Sequence, residues 1–168
     1  MAMEKAIKII NEMQALGIIK KYAVGGAVAA IFYIEPLLTY DLDIFFVPAE
    51  ESESLLTLSP VYDYLKGKGY KPEQEHIIIE GVPVQFLPIY NDLVKEAVDN
   101  AVQIEYKDTI VNVLRLEYLL AIMVQTSRPK DKQRIIRFLD EGNFNETDLA
   151  EILLNHKLKA RFELYRRP

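Results

Sequence analysis

The sequence predicts an α+β domain in which a mixed β-sheet with flanking helices is followed by a helical C-terminal part. Short apolar, strand-like runs alternate with helical segments as far as Leu114. From Arg115 onward the apolar period becomes 3.6, with Leu116, Leu119, Leu120 and Met123 in one stripe and Ile135, Ile136 and Leu139 in another. The chain has 168 residues, half of them apolar, which is enough for one core, so a single domain is expected over 1–168. The sheet core is placed at about 20–114 and the helical segment at about 115–168.

Met3, Ala6, Ile10 and Met13 recur at helical spacing over Met3 to Leu16, and Gly17 is placed to end that helix. Ile18 to Val24 reads as a buried strand, Gly26 to Ile34 as a short apolar helix stopped by Pro36, and Leu42 to Val47 as a second strand. After a polar loop at Pro48 to Ser54, Leu55 to Leu65 reads as a helix stopped by Gly67 and Gly69. His76 to Glu80 and Val82 to Leu87 are strands joined at Glu80-Gly81, with Pro83 tolerated near a strand start or edge. A helix at Leu93 to Ala101 precedes a hairpin, Gln103 to Tyr106 and Thr109 to Val113, turned at Lys107-Asp108. Among the later helices, Gly142 closes one, Asn145 caps the next over Leu149, Ile152 and Leu153, and the end places Leu158, Phe162 and Tyr165 on one face.

The absence of cysteine excludes disulfide staples, zinc-thiolate sites and a thiol nucleophile. No apolar stretch reaches the roughly 18 residues of a membrane span. The N-terminus lacks the long apolar region of a signal peptide, so a soluble, cytoplasmic protein with no membrane partner is expected. A net charge of −5 argues against broad electrostatic binding to nucleic acid. Basic residues nevertheless gather late in the chain, at Arg128, Lys130, Lys132, Arg134 and Arg137 and then at Lys157, Lys159, Arg161, Arg166 and Arg167, as solvated helix faces or as a phosphate or RNA surface.

The chemistry concentrates in Tyr22 to Phe46. An apolar strand runs into Gly25-Gly26, and a helical segment then leads to Asp41 and Asp43 framed by apolar residues. Two carboxylates one residue apart on a strand project to the same face and together can hold one or two hard divalent cations. Magnesium commonly takes one or two protein carboxylates and completes its shell with water and phosphate oxygens. Glycines let the backbone approach a phosphate closely, and a following helix N-terminus offers free N–H groups. No basic residue lies within Leu37 to Val47 to partner the two acids, which favours a cation.

Val24-Gly25-Gly26 followed by Thr39-Tyr40-Asp41-Leu42-Asp43-Ile44 resembles the nucleotidyltransferase superfamily that includes DNA polymerase β, and within it the minimal and abortive-infection toxin-type bacterial members. The resemblance implies that Gly25, Gly26 and Thr39 lie beneath the phosphates of a nucleoside triphosphate. It also implies that Asp41 and Asp43 bind two magnesium ions for transfer of a nucleoside monophosphate to an acceptor hydroxyl. The acceptor is RNA, a protein or a small molecule, and an antitoxin partner is conceivable. Arg128-Pro129-Lys130-Asp131 resembles the helical segment of the toxin-like members, with Arg128 and Lys130 as nucleotide contacts. The chain departs from the pattern at Gln85, which stands where a third carboxylate acts as base. A neutral amide oxygen can coordinate a cation but cannot take a proton. Glu80 and Glu35 are candidate substitutes. Leu37 and Met123 stand where those members carry an arginine and a lysine. Three readings follow: an active transferase, a catalytically silent nucleotide-binding or protein-interaction domain with the same fold, or a purely structural domain in which Asp41 and Asp43 are surface acids without magnesium affinity.

Overall fold

The computed structural model describes residues 2–26, 29, 41–50 and 55–166. Of the expected features, the helix from Gly26 to Ile34 lies almost entirely outside the described residues, as do Glu35, Leu37 and Thr39.

Helix α1 (Ala2–Ala15) buries Ala6, Ile7, Ile10 and Met13, the stripe its periodicity demands. Gly17, at φ +75°, ends it with the left-handed turn that a glycine enters at no steric cost. Strand β1 (Ile19–Gly25) pairs antiparallel with β2 (Leu42–Pro48), and Gly25 is set opposite Asp43. The expected helix at Leu55 to Leu65 is divided into a 3-10 turn at Leu55–Leu58 and helix α2 (Ser59–Gly67), with Pro60 in the first α-helical turn. Proline has no N–H to give to an earlier carbonyl, so the α-helix starts there instead of continuing through it.

Strands β3 (Lys71–Glu73), β4 (His76–Ile79) and β5 (Val82–Pro88) form an antiparallel meander, and β5 runs parallel to β2. Helix α3 (Asp92–Asp99) starts at Asn91, whose side chain accepts from the Val94 N–H at 2.8 Å. Strands β6 (Val102–Tyr106) and β7 (Thr109–Val113) form the expected hairpin, and β7 runs parallel to β1. The seven-stranded mixed sheet has the order β3-β4-β5-β2-β1-β7-β6. Helices α4 (Leu116–Thr126), α5 (Pro129–Glu141), α6 (Glu146–Asn155) and α7 (Lys159–Arg166) follow. Lys157, at φ +58°, turns the chain between the last two, and Leu158 and Phe162 are buried. Among the described residues no helix is long and apolar enough to cross a membrane.

The sheet has two dressed faces. Tyr22 on β1 donates through its hydroxyl to Asn11 of α1 at 2.6 Å, so that side of β1, shared by Val24, looks toward α1. The pairing of Tyr22 with Phe46 and of Val24 with Ile44 puts those two β2 residues on the same side, where Phe46 meets Phe86 edge-on at 6.2 Å between ring centroids. Alternation then turns Asp43 and Phe45 to the opposite side, the one covered by α4 and α5.

Candidate functional site

On that second face a cavity of about 220 Å³ opens between the sheet and the C-terminal helices. Gly26, Asp43 and Gln85 line its floor, Phe45 and Tyr90 one wall, and Met123, Arg128 and Arg134 the side formed by α4 and α5. A larger hollow of about 370 Å³ lies between α6 and α7, bordered by Lys159 and Arg166 of the late basic cluster but by none of the candidate metal or nucleotide residues.

The floor is built by register. Gly25 lies opposite Asp43, and Asp43 opposite Gln85, across three adjacent strands. Ile77 faces Val84 on the next strand, so the same register carried one residue further brings His76 beside Gln85. Facing residues in neighbouring strands project to the same side, and Asp43, Gln85 and His76 therefore form one row across the sheet.

Two glycines make room for this row. A Cβ on Gly25 would lie 2.3 Å from the Phe45 ring, and one on Gly26 would lie 2.1 Å from Asp43 Oδ2. Gly26 also has φ +60°, a conformation L side chains rarely adopt. The chain thus folds its Gly-Gly turn directly against a carboxylate.

Asp43 is largely withdrawn from water, and burial holds its carboxyl above the ordinary range, opposed by the positive charges of Lys130 and Arg128. The charge of Asp41 adds to the upward push, and His76 works against it. Asp41 lies just before β2, is exposed, and has its Oδ2 3.8 Å from His76 Nε2. Arg128 is held by Asp131, fully buried on the first turn of α5, through Nε at 2.9 Å and Nη2 at 3.3 Å. The Arg128 backbone N–H also donates to Asp131, at 3.1 Å, which caps the helix. Lys130 is exposed beside this turn, while Arg134, one helical turn further on, borders the cavity.

The fold therefore brings Gly26, Asp43, Gln85 and Arg128 to one cavity, with Gly25 beneath it and Asp41 and Lys130 at its margin. Glu80 is not among these residues. It sits on the exposed β4–β5 turn, five positions before Gln85, and accepts from the Tyr70 hydroxyl at 2.7 Å. Sequence reasoning did not place His76 in the site and had Arg134 only as one member of the late basic cluster. The signal for His76 is its pairing position one strand beyond Gln85, and that for Arg134 is the i+3 spacing from Asp131 along α5.

Among the described residues no three histidine, aspartate or glutamate side chains stand close enough to hold a metal ion by themselves. The donor set does fit a hard cation that keeps water or phosphate oxygens, since it offers the half-buried Asp43 carboxylate, the nearby exposed Asp41 and the Gln85 amide oxygen in the row with Asp43. The cradle that a Cβ at Gly26 would fill leaves Asp43 Oδ2 accessible for such an ion.

The architecture is a nucleotidyltransferase-like α+β fold. The chain is similar to an antigenic nucleotidyltransferase-like protein from Paracoccidioides brasiliensis, with a TM-score of 0.56 over 94% of this chain and 90% of that one, at 15% identity. No family model matches the sequence. No curated protein matches it either.

Proposed function

We propose that the protein is a nucleotidyltransferase that uses magnesium, held by Asp41 and Asp43, to transfer a nucleoside monophosphate from a nucleoside triphosphate to an acceptor hydroxyl of RNA, a protein or a small molecule. The observation that carries this reading is the half-buried Asp43 carboxylate packed against the Gly26 turn at the floor of a cavity with basic residues on its far side.

Magnesium held by Asp41 and Asp43 would supply Lewis-acid polarisation of the phosphate and would ease loss of the acceptor proton. The chain's own contribution is positional and electrostatic. Gly25 and Gly26 admit the phosphates to the sheet edge, and Arg128, oriented by Asp131, presents positive charge to them. Phe45 and Tyr90 offer ring surface to the base. In the reaction a bond forms between the acceptor oxygen and the α-phosphorus, and the bond from that phosphorus to its bridging oxygen breaks. Pyrophosphate departs with the electron pair. The acceptor proton passes to water, because Gln85 cannot take it.

Gln85 favours a second reading, a nucleotide-binding domain without turnover, since the position facing Asp43 carries no base. The test is incubation of the protein with magnesium and each α-labelled nucleoside triphosphate, with and without RNA and protein extract, beside Asp43→Asn. Label transfer that disappears in the variant supports the transferase. Magnesium-dependent nucleotide binding without transfer supports the silent domain. Neither activity refutes both.

A further inference from the structure

The acidic and basic groups around the cavity are not equally committed. Asp131 is fully buried, and the Arg128 guanidinium and backbone N–H together satisfy it, so Arg128 meets the cavity with its charge already shared with a carboxylate. Lys130 is exposed and does not border the cavity. Arg134 borders it, is only half-buried, and forms no ion pair among the described residues, with Asp43 or with any other carboxylate. Among the described residues, two charges that line this cavity lack a bonded counter-charge: the Asp43 carboxylate on the sheet and the Arg134 guanidinium on α5. A ligand that is cationic at one end and anionic at the other meets both, and a metal-bound phosphate chain has that form.

We infer that Arg134 is a specificity-determining contact for the phosphate chain of the nucleotide, binding its anionic oxygens from the helix side of the cavity. The identification of the anion as a nucleotide's phosphates rests on the function proposed above, but the anion site itself does not need the metal. Arginine suits this position because its planar fork gives two parallel N–H donors to one phosphate group, whereas lysine offers a compact point charge.

The probe is inorganic tripolyphosphate in buffer containing EDTA, measured by titration calorimetry on the full chain, with circular dichroism confirming that each variant is folded. The wild type is expected to bind, Arg134→Gln to bind at least tenfold more weakly, and Arg134→Lys to fall between. Lys132→Gln, a charge removed from the same helix at an exposed position outside the cavity lining, is expected to match the wild type. Failure of the wild type to bind, equal binding by Arg134→Gln, or an equal loss in Lys132→Gln would each overturn the inference. The last outcome would mean that only the general positive field of α5 matters. A parallel titration with magnesium and nucleoside triphosphate on Asp43→Asn separates the two proposals. Metal-free tripolyphosphate binding through Arg134 with no Asp43-dependent magnesium effect leaves the anion site standing and removes the metal reading. The converse removes only Arg134.

Discussion

Replacing Gly26 by alanine tests the most specific feature of the cavity floor. The new methyl would lie 2.1 Å from Asp43 Oδ2 and 3.0 Å from its Cγ, on a residue whose φ is +60°. Two costs add. Holding a non-glycine residue in the left-handed region costs about 1–2 kcal/mol. Forcing the carboxylate aside in a packed neighbourhood adds a coupling of about 0.5–3 kcal/mol between the two positions. Taking the middle of each range gives about 3 kcal/mol, or roughly 6–12 °C in Tm for a chain of this length. Thermal unfolding by circular dichroism in metal-free buffer measures it. The discriminating comparison repeats Gly26→Ala on an Asp43→Ala background, where the carboxylate is gone and only the backbone cost, about half the total, should remain. An equal Tm loss in both backgrounds would refute the contact between the Gly26 turn and Asp43, and with it the claim that the glycine is there to admit that carboxylate.

Asp43→Asn should change how stability depends on pH. Burial holds the Asp43 carboxyl above its ordinary range, so the folded chain retains a proton that the unfolded chain releases at about pH 3.9. Stability therefore falls as pH rises from there through the raised value and stays lower above it. Without metal, the variant should lose this fall and be the more stable protein near neutrality, as read from urea midpoints across pH. Asp131→Ala removes the acceptor of three Arg128 donors from a fully buried position and should cost about 1–3 kcal/mol in urea unfolding, the lower part of the range applying if Arg128 turns to solvent. Gln85→Glu places a second carboxylate directly across from Asp43. It should lower Tm without metal and increase the stabilisation given by magnesium, measured as the shift in Tm on titration.

What the sequence makes legible here is local. Alternation alone turns Asp43 and Phe45 to one side of β2, Gly17 ends the first helix, and Asn145 caps α6 by accepting from the Asp148 N–H at 3.0 Å. The whole sheet lies before Leu114 and only helices follow, as the change of period from 2 to 3.6 implies. Strand β3 escapes sequence reading because Lys71, Pro72 and Glu73 are all exposed at the sheet edge and carry no apolar alternation. The strand order escapes it too, since placing β1 between β2 and β7 depends on pairings across as many as 89 positions, from Val24 to Val113. His76 and Arg134 reach the site only through such long-range placement. One lies two strands from Asp43, and the other sits on a helix packed over the sheet from the far end of the chain.

The neutral residue at position 85 acquires a physical meaning from this arrangement. A carboxylate there would face Asp43 across one strand spacing of about 4.8 Å, and each would raise the other's cost of ionisation in a site already short of water. Lys130 and Arg128 offset part of that cost and a resident cation would offset more, so a chain with two acids in the row would be less stable whenever the cation was absent. Glutamine keeps an oxygen for a ligand and removes the repulsion, which lets Asp43 remain buried against Gly26 with no ion bound. The row from Asp43 through Gln85 to His76 is thus compatible with a protein that folds without metal and recruits it together with the phosphates. Full metal affinity would then arise only when the anion on the helix side is also in place. In that arrangement metal and nucleotide affinity are coupled, and by linkage each must strengthen the other by the same factor.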